Sequence, residues 1–156
     1  MSTENGVHTD TQFSIFLINR PGILARVVQK LAKDKINIIA LSMMDSTEHG
    51  VLRLVVENPA KARACLSELD LPKQETTVLA ATLPNRPGAL ADVVDRLAAE
   101  HINIHYAYCT TGPAGGKTMG VFKVADQNKA MHVLSERRPR RKATNSPVRA
   151  AAGRRR

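Results

Sequence analysis

NRPGILARVVQKLAKDKINI, residues 19–38, returns as NRPGALADVVDRLAAEHINI, residues 85–104. The two segments agree at 13 of 20 positions, where unrelated segments would agree at roughly one or two given ordinary residue frequencies. An internal duplication decides the fold before any single residue does. Only two copies fit within 156 residues, so the chain is a tandem of two similar units and not a solenoid or propeller.

Working outward from the repeat, the same elements appear on both sides. Leu24, Val27, Val28 and Leu31 fall at i, i+3, i+4 and i+7, one face of a helix, and Leu90, Val93, Val94 and Leu97 repeat the stripe. Pro21 and Pro87 suit a first helical turn, where the missing N–H is not needed. Strand-length apolar runs precede each NRPG, at Phe13 to Ile18 and Val78 to Leu83. Further strands are expected at Ile36 to Met44, Val51 to Val56, Ile102 to Tyr108 and Met119 to Val124. Asn58 before Pro59 is an N-cap opening a second helix, and Asp126 opens its counterpart. No turn signal separates Lys73 from Leu83, so one long strand is expected to close the first unit and open the second.

The boundaries expected are a disordered N-terminus over 1–11, unit one over 12–77, unit two over 78–136 and a tail over 137–156. The net charge of +9 belongs to the tail, which holds nine Lys/Arg and no acidic residue. Residues 1–136 balance 14 basic against 14 acidic side chains. Such a tail lacks the apolar surface to offset ordering and is expected to be disordered. Whether residues 140–150 supply a last strand of unit two stays open, and Pro147 argues against a good one.

Each unit alone would bury a thin core, so pairing is expected within the chain and as a homodimer. Low aromatic content and no Trp imply an aliphatic core. Cys65 and Cys109 sit in apolar surroundings without metal spacing and read as buried free thiols. No apolar run approaches the roughly 18 residues of a membrane span. A cytoplasmic protein fits these features.

A β-α-β-β-α frame with NRPG between its first strand and helix, then LAxVVxxLA and Ile-Asn-Ile, resembles the ACT domain. The likeness runs from residue 12 to about 136. More narrowly, ALSMMDSTEHGVLRLVVENPAKA and INIHYAYC resemble small bacterial proteins of two ACT units without an attached enzyme. The resemblance implies an α/β, ferredoxin-like fold: two βαββαβ units side by side, antiparallel strands, helices on one face. It also implies amino-acid ligands held at a seam between paired units.

The implied ligand-binding positions are Asn19, Arg20, Pro21, Gly22, Ile23 and Leu24, with Asn37 at the next strand. Their counterparts are Asn85, Arg86, Pro87, Gly88, Ala89 and Leu90, with Asn103. A helix N-terminus with unpaired N–H groups suits a carboxylate, and a glycine there lets a ligand approach the backbone. Units of this kind often carry a polar residue two positions before the Asn; here Leu17 and Leu83 stand there, which leaves the ligand's identity open.

Other chemistry does not assemble. Thr111 to Thr118 lacks the first glycine of a phosphate loop and precedes a strand, not a helix. His101 and His105 on one strand would lie about 13 Å apart, too far for one ion. No nucleophile stands beside a base. The expectation is a regulatory or sensor protein, not an enzyme, without cofactor or metal, acting by ligand-coupled association of its units. Two alternatives are a trans-acting subunit of a biosynthetic enzyme and a nucleic-acid-associated protein acting weakly through its tail.

Overall fold

The computed structural model describes residues 6–44, 49–110, 113 and 115–136. Ten elements follow in order: β1 (Val7–Ile18), α1 (Ile23–Lys33), β2 (Ile38–Met44), β3 (His49–Val56), α2 (Pro59–Ser67), β4 (Lys73–Pro84), α3 (Ala89–Ala99), β5 (Ile104–Cys109), β6 (Lys117–Val124) and α4 (Gln127–Ser135). Asn58 caps α2 by accepting from the Lys61 N–H at 3.0 Å, and Asp126 caps α4 by accepting from Lys129 at 2.9 Å. Helix α1 stops where Lys35 turns left-handed, and α3 stops the same way at His101.

All six strands form one antiparallel sheet in the order β2-β3-β1-β4-β6-β5. The central ladder pairs Val7 with Ala81 through Ile15 with Lys73, so partner numbers sum to 88. The repeat shift is 66 residues, and only at Thr11 opposite Thr77 does a residue face its own repeat equivalent. A pseudo-two-fold axis therefore passes between these threonines. Strand β1 and strand β4 are the same twelve-residue span, displaced by 66.

This register corrects the expectation for the N-terminus. Val7 to Thr11 are strand, not disordered, because they occupy in unit two the fourth-strand position that Lys73 to Thr77 occupy in unit one. The last strand of unit two thus comes from the front of the chain. Residues 140–150, and the rest of the tail, lie outside the described residues. The long strand expected between Lys73 and Leu83 is β4.

Alternate residues of the strands face opposite ways. Phe13, Ile15 and Leu17 meet Val27, Leu31 and Leu66 under α1 and α2. Leu79, Leu83 and Phe122 meet Val93, Leu97 and Leu134 under α3 and α4. Each fully buried side chain of this size contributes about 1.5–3 kcal/mol, and the two cores lie on one face of the sheet. Gly120 is held there by packing, since a Cβ would come within 2.7 Å of the Phe122 ring. Among the described residues the other face carries no helix. Its small cluster is Ala40, Val55, Val78 and Val121, with Phe16 and Ile18 exposed on β1.

Candidate functional site

Each NRPG segment makes the same turn from strand to helix. Gly22 (φ 89°, ψ −15°) and Gly88 (φ 86°, ψ −15°) stand at the N-caps in the left-handed region, which glycine adopts without strain. Neither helix receives a side-chain cap. Around Gly22 the Cβ direction is open to 4 Å. The first turns therefore present backbone N–H groups and the positive end of the helix dipole to solvent.

The two turns differ in what surrounds them. Asn19, Arg20, Pro21 and Gly22 are exposed, and Ile23 and Leu24 are half-buried against the core. In unit two the Asn85 amide donates to the Pro113 carbonyl at 3.1 Å, and its backbone N–H donates to Gly116 at 2.9 Å. Arg86 folds over Pro87 and pairs with Asp92 at 3.1 Å. Ala89 is buried while Leu90 is exposed. The residue equivalent to Asp92 in unit one is Arg26, so the first turn of α1 has no acidic residue. Unit one thus keeps an open, cationic turn, and unit two closes its own.

Asn37 and Asn103 are exposed, and each holds its strand by the backbone: the Asn37 carbonyl accepts from Glu57 at 3.0 Å and the Asn103 carbonyl from Ala125 at 2.9 Å. Through these bonds and the strand registers, Asn37 lies level with Asp10 and Asn103 with Thr76. Asn19 and Asn85 lie nine positions further along, about 30 Å at the usual rise. One chain does not bring the two Asn positions of either unit together. Leu17 and Leu83 are core residues, which accounts for the missing polar side chain.

Two smaller expectations are revised. His101 is in the turn after α3 and His105 in β5, so they do not share a strand. Cys109 is exposed at the end of edge strand β5, while Cys65, within α2, is buried. Burial, with the Asp34 carboxylate beside it, pushes the Cys65 thiol up to about 11. Among the described residues, no cluster of His, Cys, Asp or Glu is placed to hold a metal ion.

Sequence reasoning missed a polar cluster on the helix-free face. The fully buried Gln12 amide donates to Ser14 Oγ at 3.0 Å and to Tyr106 Oη at 2.8 Å, and its carbonyl accepts from Tyr108 Oη at 3.0 Å. The Arg53 guanidinium lies 4.2 Å from the centre of the Tyr106 ring. Burial pushes the Tyr108 hydroxyl well above the usual phenol range. Tyr106 and Tyr108 at i and i+2 share a strand face, but nothing in the sequence says that they reach across the sheet to β1.

The chain is thus a duplicated ferredoxin-like fold with its helices on one face and one NRPG turn in each unit. Residues 8–142 match the family model described as an ACT domain pair, and the chain belongs to that family. Among solved structures it is similar to protein BT0572 from Bacteroides thetaiotaomicron, at 34% identity and TM-score 0.75, over 83% of this chain and 88% of that one. The regulatory subunit of aspartate kinase from Thermus thermophilus, in its ligand-free form, shares the fold at 16% identity and TM-score 0.61, over 83% and 94%. The corresponding subunit from Thermus flavus does so at 18% and 0.56, over 83% and 92%. No functionally curated protein matches the chain. Among the described residues no helix is long and apolar enough to cross a membrane.

Proposed function

We propose that this chain is an amino-acid-binding regulatory protein whose ligand site is completed by a second copy. The observation that carries the reading is the exposed, uncapped start of α1 at Gly22, beside the exposed Asn19 and Arg20. A ligand carboxylate fits the backbone N–H groups there, and the Asn19 amide both donates and accepts. The protein acts by association and not by catalysis.

The 30 Å between Asn19 and Asn37 sets where the seam must be. Strand β2 is a sheet edge, uncharged, with Leu41, Met43 and Met44 about half exposed. Such an edge calls for cover. If two copies pair antiparallel along β2, centred on Leu41, Asn37 of the partner subunit comes one position beyond Met44. That is the level of Leu17, two residues short of Asn19, with β2 and β3 lying between the partner's strand and β1, about 14 Å across the sheet. A homodimer then holds two equivalent sites, and a ligand binding only the paired form shifts the population toward it. Unit two, with Asn85 bonded to its own hairpin, is the weaker candidate.

A thermal-shift screen against the twenty amino acids tests this. A binder present at a hundred times its dissociation constant adds about 2.7 kcal/mol of stability. If no amino acid raises the melting temperature at millimolar concentration, the sensor reading falls. Regulation of a biosynthetic enzyme in trans is the form such sensing takes in this proposal, since solved proteins of the same fold include regulatory subunits of aspartate kinase.

A further inference from the structure

We propose that the helix-free face of unit one carries a second site, centred on Arg53, for a small carboxylate without an ammonium group, of the 2-oxo acid class. The site is separate from the NRPG turns and does not depend on the amino-acid reading.

The sheet register builds it. Arg53 on β3 stands between Ser42 on β2 and Ser14 on β1. The next row toward the end of β1 is Met44, Val51 and Phe16, of which Phe16 is 40% and Met44 52% exposed. On the other side Tyr106 leans in from β5 to Gln12, its ring under the guanidinium. Two small serines thus lie between an apolar wall and an aromatic one.

Hydrogen-bond accounting names the ligand. Gln12 is engaged at both ends: both amide hydrogens go to Ser14 and Tyr106, and its oxygen accepts from Tyr108. Ser14 and Tyr106 therefore act as acceptors toward Gln12, and each still has a hydroxyl proton to donate. Arg53 has five N–H donors; its contacts are Met44 Sδ at 2.8 Å and the Tyr106 ring. Among the described residues no carboxylate lies within ion-pair reach of it. Asp10, two positions before Gln12 on the same face, is 3.7 Å from His8 and accepts from the Thr11 N–H.

The cluster offers a cation and several hydroxyl donors, with no carboxylate paired to Arg53 among the described residues. A 2-oxo acid offers only acceptors at its polar end, and its apolar side chain fits against Phe16 and Met44. An α-amino acid would bring an ammonium group, a like charge beside the Arg53 guanidinium with no carboxylate paired there to offset it among the described residues.

The chain contains two Tyr and no Trp, and both tyrosines belong to this cluster, so intrinsic emission reports on it alone. The full chain is titrated with 2-oxoisovalerate, with L-valine, which has the same side chain, and with inorganic phosphate. The expected result is a saturable change in tyrosine emission with the oxo acid in the millimolar range, and none with L-valine. Arg53→Met should weaken it about tenfold or more. Tyr106→Phe, which keeps the ring and loses one donor, should weaken it less. Asn19→Ala should leave it unchanged while weakening any amino-acid thermal shift, so the two readings fail separately. The proposal is overturned by an absent or non-saturable response, by an equal response in a folded Arg53→Met, or by L-valine or phosphate binding as well as the oxo acid.

Discussion

Thr11 stands opposite Thr77 in the central ladder, and the two are equivalent positions of the duplicated sequence. The pairing makes the units interdependent, because each lends its neighbour the strand that closes it. Removing residues 1–11 would strip Val7 to Thr11 from β4 and uncover the edge of unit two. At about 0.5–1.5 kcal/mol net for each ladder hydrogen bond, the loss should be at least about 2 kcal/mol. Urea unfolding with an unchanged midpoint would show that this half-strand is dispensable.

Gln12 ties β1 to β5 through two tyrosine hydroxyls. Gln12→Leu leaves Tyr106, Tyr108 and Ser14 without their shared partner. Stranded buried polar groups cost about 1–3 kcal/mol, so thermal unfolding should register a clear loss. A neutral or stabilising result would mean that water replaces the amide at no cost.

The shared site makes a prediction about mixed dimers. Asn19→Ala and Asn37→Ala should each weaken amino-acid binding by about ten- to a hundred-fold, since a hydrogen bond to a charged group contributes about 1.5–3 kcal/mol. Both positions are exposed, so melting temperatures should hardly move. When the two mutant chains are mixed and allowed to exchange, the hybrid carries one site with both Asn residues intact. Calorimetry should then recover a tight-binding fraction. No recovery, with exchange verified, would argue against a site shared between chains.

The two cysteines should be distinguishable by reagent and by pH. Cys109 is exposed and should react with a thiol reagent in the folded protein, while Cys65 should wait for unfolding. The folded Cys65 thiol is raised to about 11, above an unfolded value of about 8.5. A raised acid favours its neutral form in the fold. Its stabilising share is therefore complete below the unfolded value and is lost as pH rises through the folded one. Stability should decline across that alkaline window in the native chain and less so in Cys65→Ala. Two thiols titrating at equal rates under native conditions would contradict the placement.

Deleting residues 138–156 separates the tail from the rest. The eight Lys/Arg of that stretch, with no acidic residue among them, attract any polyanion, steeply weakened by salt. The truncated chain should keep its melting temperature and amino-acid binding while losing low-salt retention on nucleic acid. A truncated chain that unfolds would place part of the fold beyond residue 137.

Much of the architecture was legible because it rests on local chemistry. The stripe through Val27 and Leu31 and its copy through Val93 and Leu97 can only be helix faces, and Asn58 and Asp126 mark helix starts wherever the chain is placed. Val7 to Thr11 were not legible: VHTDT lacks a continuous apolar run, since only one face of that half-strand meets a core and its partner strand lies about seventy residues away. The candidate residues were legible as a motif, but their separation was not. Sequence places Asn19 eighteen residues before Asn37, and the intervening α1 carries the chain back to the far end of the sheet.

The sequence by itself determined the duplication, the order of the elements and the helix-starting turns, because periodicity and capping act within a few residues. Tertiary structure alone decided that the two units share one sheet about the Thr11–Thr77 axis. It also decided that the N-terminus closes unit two, and that Arg53, Gln12 and Tyr106 meet. Those outcomes depend on ladder register and on side chains reaching across strands, which couple residues up to 96 positions apart and leave no local pattern to read.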